Sequence, residues 1–306
     1  MSSSEWRKEL VNTRRFTLSP VFILGLGVIL VSFSGVLIRL AGTGPSRIAL
    51  YRVVFAFVMY VAVTSFRRRR VASLPFNARQ YLLAILAGVF LALHFHLWIS
   101  AFEHTTIAGA VIPLSLQPIV VGVISRYLYG EKFDRFMLIP IGLMAGGMII
   151  MPALDRMISP TLARGDLLSI AGALMVCMFV VIARTGVRHF GTFGFNKISY
   201  GVAMIILAVF AFVQDVSIWP LTLRELFFYV LIGVGCSFLG YSLIVFSLKK
   251  FRSVNVSIAL IGEPVLGILW GWVFLREALT FPQFIGFSCG LVGLTFYFRR
   301  IKVDYE

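Results

Sequence analysis

The sequence predicts an all-α polytopic membrane protein with ten transmembrane helices, arranged as two inverted five-helix repeats. Of the 306 residues, 59% are apolar and 13% are charged. A soluble domain carries more charge than this because its surface faces water. Apolar stretches of about 20 residues, the length that crosses a hydrocarbon core of about 30 Å, recur from Pro20 almost to the end of the chain. The membrane is therefore the main solvent of this protein.

Ten apolar segments are each long enough to form a membrane-spanning helix. In chain order, the predicted helices cover residues 20–40, 46–66, 80–101, 106–128, 135–153, 166–186, 194–213, 225–247, 254–275 and 281–298. An even number of crossings places both termini on the same side of the membrane.

The basic residues indicate which side this is. The chain has 28 Lys and Arg residues and a formal charge of +15. Of these, 21 fall in the termini and in the loops of the same side, whereas the opposite side holds only Arg39, Arg47, Arg52, Arg156, Arg164, Arg224 and Arg276. Because cytoplasmic loops carry an excess of Lys and Arg, both termini are predicted to be cytoplasmic. The loops explain the positive charge, and no nucleic-acid partner is expected.

The two halves of the chain resemble each other. An offset of 146 residues aligns, without a gap, Leu114 with Leu260, Gln117-Pro118 with Glu263-Pro264, and Gly130-Glu131 with Arg276-Glu277. Offsets of 145 and 144 align Arg39 with Arg184, Arg52 with Lys197, and Gly142/Gly146 with Gly286/Gly290. Each copy contains five helices, an odd number, so the copies enter the membrane from opposite sides. Inverted repeats are typical of alternating access around a site near the middle of the bilayer.

The repeat predicts the domain organisation. We expect an N-terminal cytoplasmic segment at 1–19, a first repeat at 20–153, a connecting loop at 154–165, a second repeat at 166–298 and a cytoplasmic C-terminal tail at 299–306.

The order of these motifs resembles the EamA-type members of the drug/metabolite transporter superfamily, which have two copies of a five-helix domain. The second helix of such a domain has a Pro followed by an Arg and small residues, as the segment 45–56 does with Arg52. A later helix has a central Pro and ends at a Gly-Glu-like pair, and the next helix has a Gly-x3-Gly pattern. The matching positions are Pro118, Gly130-Glu131 and Gly142/Gly146 in the first copy, and Pro264, Arg276-Glu277 and Gly286/Gly290 in the second. The second copy departs from the pattern at Asn196-Lys197, and the first has Gln117 where the second has Glu263.

The resemblance implies a secondary transporter with a cavity between its halves. It favours an exporter of amino acids or related metabolites in a bacterial inner membrane. Two alternative cargoes stay open, namely toxic organic compounds and anionic, nucleotide-type metabolites. The expected partners are a small-molecule substrate and the lipid bilayer, and the expected working unit is a monomer, with a dimer as the alternative.

An intramembrane enzyme is the rival class of function. It needs a nucleophile beside a base, or a metal cluster, at membrane depth. The sequence has no Ser-His-Asp set with suitable spacing, and His94 and His96, two residues apart on a helix, point in different directions. We therefore expect no catalytic residues, no metal site and no cofactor.

Glu263 is the leading candidate for a site residue. Its carboxylate lies deep in the ninth helix and must face protein or water, because a charge is costly in lipid. Pro264 lacks an N–H and frees the carbonyl of Leu260, which leaves a polar notch beside the acid. The sequence favours two roles equally: a cation or proton site in the cavity, or a structural Glu paired with a basic residue. The fourth helix carries the uncharged counterpart of this notch at Pro113, Gln117 and Pro118.

Aromatic and polar side chains on neighbouring helices complete the predicted site. His94 and Trp98 are four residues apart and share a face of the third helix. Packing inside the bundle is the alternative role for both. We expect one central cavity bordered by His94, Trp98, Gln117, Tyr241, Glu263 and Trp270. Arg52 is a possible charge partner, either for a substrate anion or for a structural acid.

Overall fold

The computed structural model describes residues 19–66, 77–130 and 159–279, and the single positions 142, 157, 281, 284, 285, 287, 288, 291, 292 and 295. The predicted fifth and tenth helices lie outside the described residues except at some of these positions. The N-terminal segment up to residue 18 and the C-terminal tail also lie outside them. Within the described ranges, every regular element is a helix.

Seven helices in the described ranges are long and apolar enough to cross a membrane. They are α1 (Pro20–Ala41), α2 (Pro45–Phe66), α3 (Ala78–Ala101), α4 (Ile107–Tyr129), α5 (Pro160–Val213), α6 (Leu223–Ser247) and α7 (Ser253–Leu275). The span of α5 has 54 residues, enough for two crossings at about 20 residues each. Gly191, with φ 70° and ψ 168°, divides it into two arms. The seven helices thus provide eight of the ten predicted crossings.

The helix starts follow local capping chemistry. At the starts of α1, α3, α4, α5 and α6, the side-chain oxygen of the capping residue accepts a hydrogen bond from a backbone N–H of the first turn. The capping residues are Ser19, Asn77, Thr106, Ser159 and Thr222. The start of α5 lies six residues before the predicted start of the sixth helix at 166. Pro160 already begins the helix, because Ser159 caps it and proline suits the first helical position.

Successive helices run in opposite directions through the bundle. The chain segments around Gly42, Glu103 and Gln214 lie at one end of the bundle, which we call the Gly42 end. The opposite end holds the loop around Lys249 and is called the Lys249 end. Because α1 begins at the Lys249 end and α5 begins at the Gly42 end, the two copies of the five-helix pattern are inverted relative to each other.

Glycines bring α3 close to α5 in the core. A Cβ added to Gly88 would lie 2.6 Å from the carbonyl oxygen of Ser199, and one added to Gly172 would lie 3.1 Å from the backbone nitrogen of Trp98. Side chains at these two positions would therefore force the helices apart. Close packing of α3 along both arms of α5 forms the frame against which the other helices pack.

The helices α4 and α7 are interrupted at matching positions. A 3₁₀ turn at Ile112–Leu116 precedes the segment Gln117–Tyr129 of α4. In α7, the segments Ser253–Ala259 and Gly262–Leu275 are separated by two residues. Proline follows each interruption, since Pro118 and Pro264 lie in the first turn of the second segment. Both prolines remove a backbone donor, which is why regular helix cannot continue through either point.

The helix α6 contains a π-helical segment, Leu231–Gly240. It packs closely against α2, because a Cβ on Gly233 would lie 2.9 Å from the carbonyl oxygen of Arg52. Segments of π-helix are rare and occur often at functional sites. The segment lies at the depth of the candidate site.

Candidate substrate site

A narrow cavity lies between the middle of the bundle and the Lys249 end. Its polar lining consists of Gln117, Tyr241 and Glu263. Its apolar lining comes from α5, α6 and α7, and comprises Val176, Phe179, Val180, Ile244, Val245, Leu248 and Leu260. The cavity volume is about 10 Å³, room for about one water-sized molecule. An amino acid therefore needs the surrounding helices to separate before it can enter.

Glu263 contributes the negative charge of this cavity. The residue is buried, with 8% of its surface exposed. It lies in the first turn of the second segment of α7, where the helix dipole favours a carboxylate. Among the described residues, its carboxylate has neither a hydrogen-bond donor nor an ion-pair partner. Burial without a partner is costly for such a group, which makes it a strong candidate for binding a cation.

Gln117 occupies the matching position of α4. It is buried, and its Oε1 atom has no hydrogen-bond donor among the described residues. The cavity therefore contains two buried oxygen acceptors without partners, one charged and one neutral. Pro113 and Pro118 lie on either side of Gln117 and, with Pro264, produce the interruptions that position these side chains.

Arg52 lies near this cavity and is almost completely buried, with 1% of its surface exposed. Its Nε donates to Ser237 Oγ at 3.0 Å, and its guanidinium lies 4.0 Å from the ring centre of Phe95. The ring of Phe95 also packs against that of Tyr241 in the cavity lining, with ring centres 6.0 Å apart. Among the described residues, Arg52 and Glu263 form no ion pair. Arg52 thus supplies a positive charge from α2.

His94 and Trp98 do not line the cavity. The ring of His94 is hydrogen-bonded through Nδ1 to the carbonyl of Gly172 at 2.9 Å and stacks on Trp98 with ring centres 5.7 Å apart. The indole of Trp98 donates to the carbonyl of Ala110 at 2.8 Å. Both side chains are buried, and these contacts fit the packing role that the sequence left open for them.

Trp270 also lies outside the cavity lining. Its indole donates to Ser32 Oγ at 2.9 Å and stacks on Phe33 with ring centres 4.5 Å apart. Phe33 separates the two segments of α1, Pro20–Ser32 and Ser34–Ala41. Trp270 therefore faces the interruption of α1. The structure brings Gln117, Tyr241 and Glu263 together and leaves the three ring side chains His94, Trp98 and Trp270 outside.

A buried hydroxyl network beside Arg52 was not predicted. Tyr60 accepts hydrogen bonds from Asn196 Nδ2 at 3.0 Å and from Ser242 Oγ at 3.1 Å. Its own hydroxyl donates to the carbonyl of Ser237 at 3.2 Å, as does that of Tyr200. Asn196 in an apolar run is the one sequence signal that points to this network, because a buried amide needs partners.

The two copies are tied together at the Gly42 end. Arg47 of α2 forms an ion pair with Glu225 of α6 at 3.1 Å, and Arg39 of α1 lies 3.7 Å from Glu277 after α7. The carboxylate of Glu277 also accepts the backbone N–H of Ile107 at 2.9 Å. These contacts link the two copies at the Gly42 end, whereas the cavity lies toward the opposite end.

Comparison with known proteins agrees with this architecture. The model of the EamA-like transporter family matches residues 18–152 and 163–299, so that it covers most of the chain in two copies. The chain belongs to the EamA-like transporter family. Members of this family are transporters, so the chain is a membrane transporter of small molecules and not an enzyme.

Two relatives place this EamA-like transporter among known proteins. The uncharacterized transporter YoaV of Bacillus subtilis (strain 168) is 25% identical over 202 residues, which are 61% of this chain. The match spans 66% of the length of YoaV, just under two thirds. A solved structure described as "Crystal structure of protein" shares the fold, with a TM-score of 0.70, 18% identity, and coverage of 91% of this chain and 96% of that chain.

Proposed function

We propose that this transporter exports an amino acid or a related small metabolite across a bacterial inner membrane, with both termini in the cytoplasm. The observation that carries the proposal is the buried, unpaired carboxylate of Glu263 in a cavity that is otherwise mostly apolar. A primary ammonium group satisfies such a carboxylate, and Gln117 Oε1 offers it a second acceptor. The apolar wall suits the rest of an amphipathic molecule.

The mechanism that we propose is alternating access between the repeats at 20–153 and 166–298. The narrow cavity has to widen on one side at a time, which inverted repeats allow by rocking against each other. With cytoplasmic termini, the Lys249 end faces the cytoplasm. The ion pairs that link the copies at the Gly42 end then lie on the outer side.

An anionic metabolite is the second candidate cargo, and Arg52 is the residue that favours it. A toxic organic cation is also compatible with Glu263. An amino acid or related molecule with an ammonium group fits the charges of Glu263 and Arg52 better than either of these cargoes. Glu263 lines the cavity directly, and Arg52 lies close by.

The proposal is tested by transport assays in proteoliposomes. The panel contains the common amino acids, ethidium as an organic cation and AMP as an anion, each measured in both directions with and without a pH gradient. We expect at least one amino acid to be carried, and Glu263→Gln to lower its rate by about tenfold or more, equivalent to about 1.4 kcal/mol. Glu103→Gln, which removes an exposed carboxylate, is the matched control and should transport at the wild-type rate.

Two results would overturn the proposal. Transport of ethidium or AMP with no amino acid carried would replace the cargo. Equal rates for Glu263→Gln and Glu103→Gln would remove Glu263 from the site.

A further inference from the structure

Arg52 is a buried cation with an unused hydrogen-bond donor. Its Nε donates to Ser237, but its Nη1 atom is buried and has no acceptor among the described residues. Leaving a charged donor unsatisfied inside a protein is costly, and the ring of Phe95 offsets only part of that cost. The unused donor therefore indicates a place for an acceptor that the described residues do not supply.

We infer that Arg52 binds a carboxylate of the substrate, so that the site takes a zwitterionic amino acid rather than a simple amine. This inference rests on the proposed function, in which Glu263 binds the ammonium group. Arg52 and Glu263 are buried and interact electrostatically, yet they form no ion pair. Phe95, which covers Arg52, packs against Tyr241 in the lining of the cavity that holds Glu263. Two buried opposite charges beside one cavity suit a ligand that carries both signs. Guanidinium also matches carboxylate geometry with parallel hydrogen bonds.

The π-helical segment of α6 holds Arg52 in this position. The carbonyl of Ser237 accepts hydrogen bonds from Tyr60 and Tyr200, both at 3.2 Å, and these bonds fix the residue whose hydroxyl accepts from Arg52. The ring of Phe95 covers one face of the guanidinium. Because Nε and this face are occupied, the Nη donors are the ones left for a ligand. Ser237 is accordingly a positioning residue for Arg52.

The test compares ligands that differ only in the carboxylate. Leucine and phenylalanine carry both charges, whereas leucinamide and phenylalaninamide keep the ammonium group and lose the carboxylate. Dissociation constants are measured calorimetrically in detergent, because neutral amines leak through lipid. We expect the wild type to bind the better of the two amino acids about tenfold or more tightly than its amide.

Variants then assign this preference to Arg52. Arg52→Gln should bind the amino acid no more tightly than its amide, and Ser237→Ala should reduce the preference by about threefold, as expected for loss of one hydrogen bond. Arg126→Gln, at an exposed position of α4, is the matched control and should behave as the wild type does. Where Arg52→Gln fails to fold, Arg52→Lys keeps the charge without the parallel donors and should also lose most of the preference.

The outcomes separate this inference from the proposed function. Equal binding of amino acids and amides by the wild type, or a preference retained by Arg52→Gln and Arg52→Lys, would overturn the role of Arg52. If the amides bind and Glu263→Gln abolishes that binding, the role of Glu263 stands without that of Arg52. If none of the four compounds binds and no amino acid is transported, both proposals fail.

Discussion

The interruptions of α4 and α7 are built alike but differ in charge. Each is followed by a polar residue and a proline, Gln117-Pro118 in the first copy and Glu263-Pro264 in the second. The backbone interruption is therefore shared by both copies, whereas the side chain that each copy places in the cavity differs in charge. A duplicated scaffold can become selective through a single amide-to-carboxylate difference, because the two side chains have similar shapes and only the carboxylate ionises.

The largest expected effect comes from exchanging these two side chains. Glu263→Gln alone should lower transport by about tenfold or more. The double variant Gln117→Glu/Glu263→Gln keeps one carboxylate but moves it to α4. We expect it to remain as inactive as Glu263→Gln, because Arg52 interacts with the position in α7. Recovery of wild-type transport by the double variant would show that either copy can hold the charge.

The prolines provide a second test of the comparison. Pro264→Ala and Pro118→Ala each restore a backbone donor in the first turn of a helical segment, where proline is well tolerated. Both should change the free energy of unfolding by no more than about 1 kcal/mol. Pro264→Ala should nevertheless reduce transport more, because the adjacent side chain is the ionisable one. Equal transport by the two variants in the same assay would contradict this asymmetry.

Smaller effects are expected where the two helices end. Both α4 and α7 are followed by a residue in the left-handed region, Gly130 with φ 66° and Arg276 with φ 53°. This conformation costs a non-glycine residue about 1–2 kcal/mol. Arg276→Gly should therefore raise the melting temperature in detergent, and Gly130→Ala should lower it by a similar amount. Gly25→Ala is the control, because Gly25 has open space around it and no left-handed backbone. Any change in melting temperature at this position measures helix propensity alone.

The weakest expected effect is that of the contact between Arg39 and Glu277. The side chains are 32% and 26% exposed, and exposed ion pairs contribute about 0.2–1 kcal/mol. A double-mutant cycle with Arg39→Gln and Glu277→Gln, measured by thermal unfolding at low and high salt, should give a coupling in this range that falls as salt rises. A coupling of zero at both salt concentrations would mean that this pair does not hold the copies together.

The sequence predicted the helices and part of the site for identifiable reasons. Long apolar runs dictate membrane crossings, and proline inside such a run predicts an interruption. Gln117 and Glu263 were predictable because a polar side chain in an apolar run must face protein or water. The structure places both side chains in the lining of one cavity, and membership of a transporter family was confirmed.

Other parts of the site depend on how the helices are rotated against each other. Helical spacing correctly grouped His94 with Trp98, but it does not say which neighbour that face meets. The apolar wall formed by Val176, Phe179 and Val180 is indistinguishable in sequence from lipid-facing residues. Arg52 approaches the cavity of Glu263 from another helix, which is a tertiary property that no local pattern contains.

The π-helical segment explains why the offset between the copies changes along the chain. The helices α3 and α6 are counterparts, yet α3 has 24 residues and α6 has 25. Their first residues are 145 positions apart and their last residues 146. A π-helical turn accommodates more residues than an α-helical one, so an insertion of one residue can be absorbed as a local widening without displacing the loops at either end. In this protein, the backbone carbonyl of Ser237 at that widening accepts hydrogen bonds from the hydroxyls of Tyr60 and Tyr200. A small change in chain length after duplication has thus become part of the asymmetry between the copies.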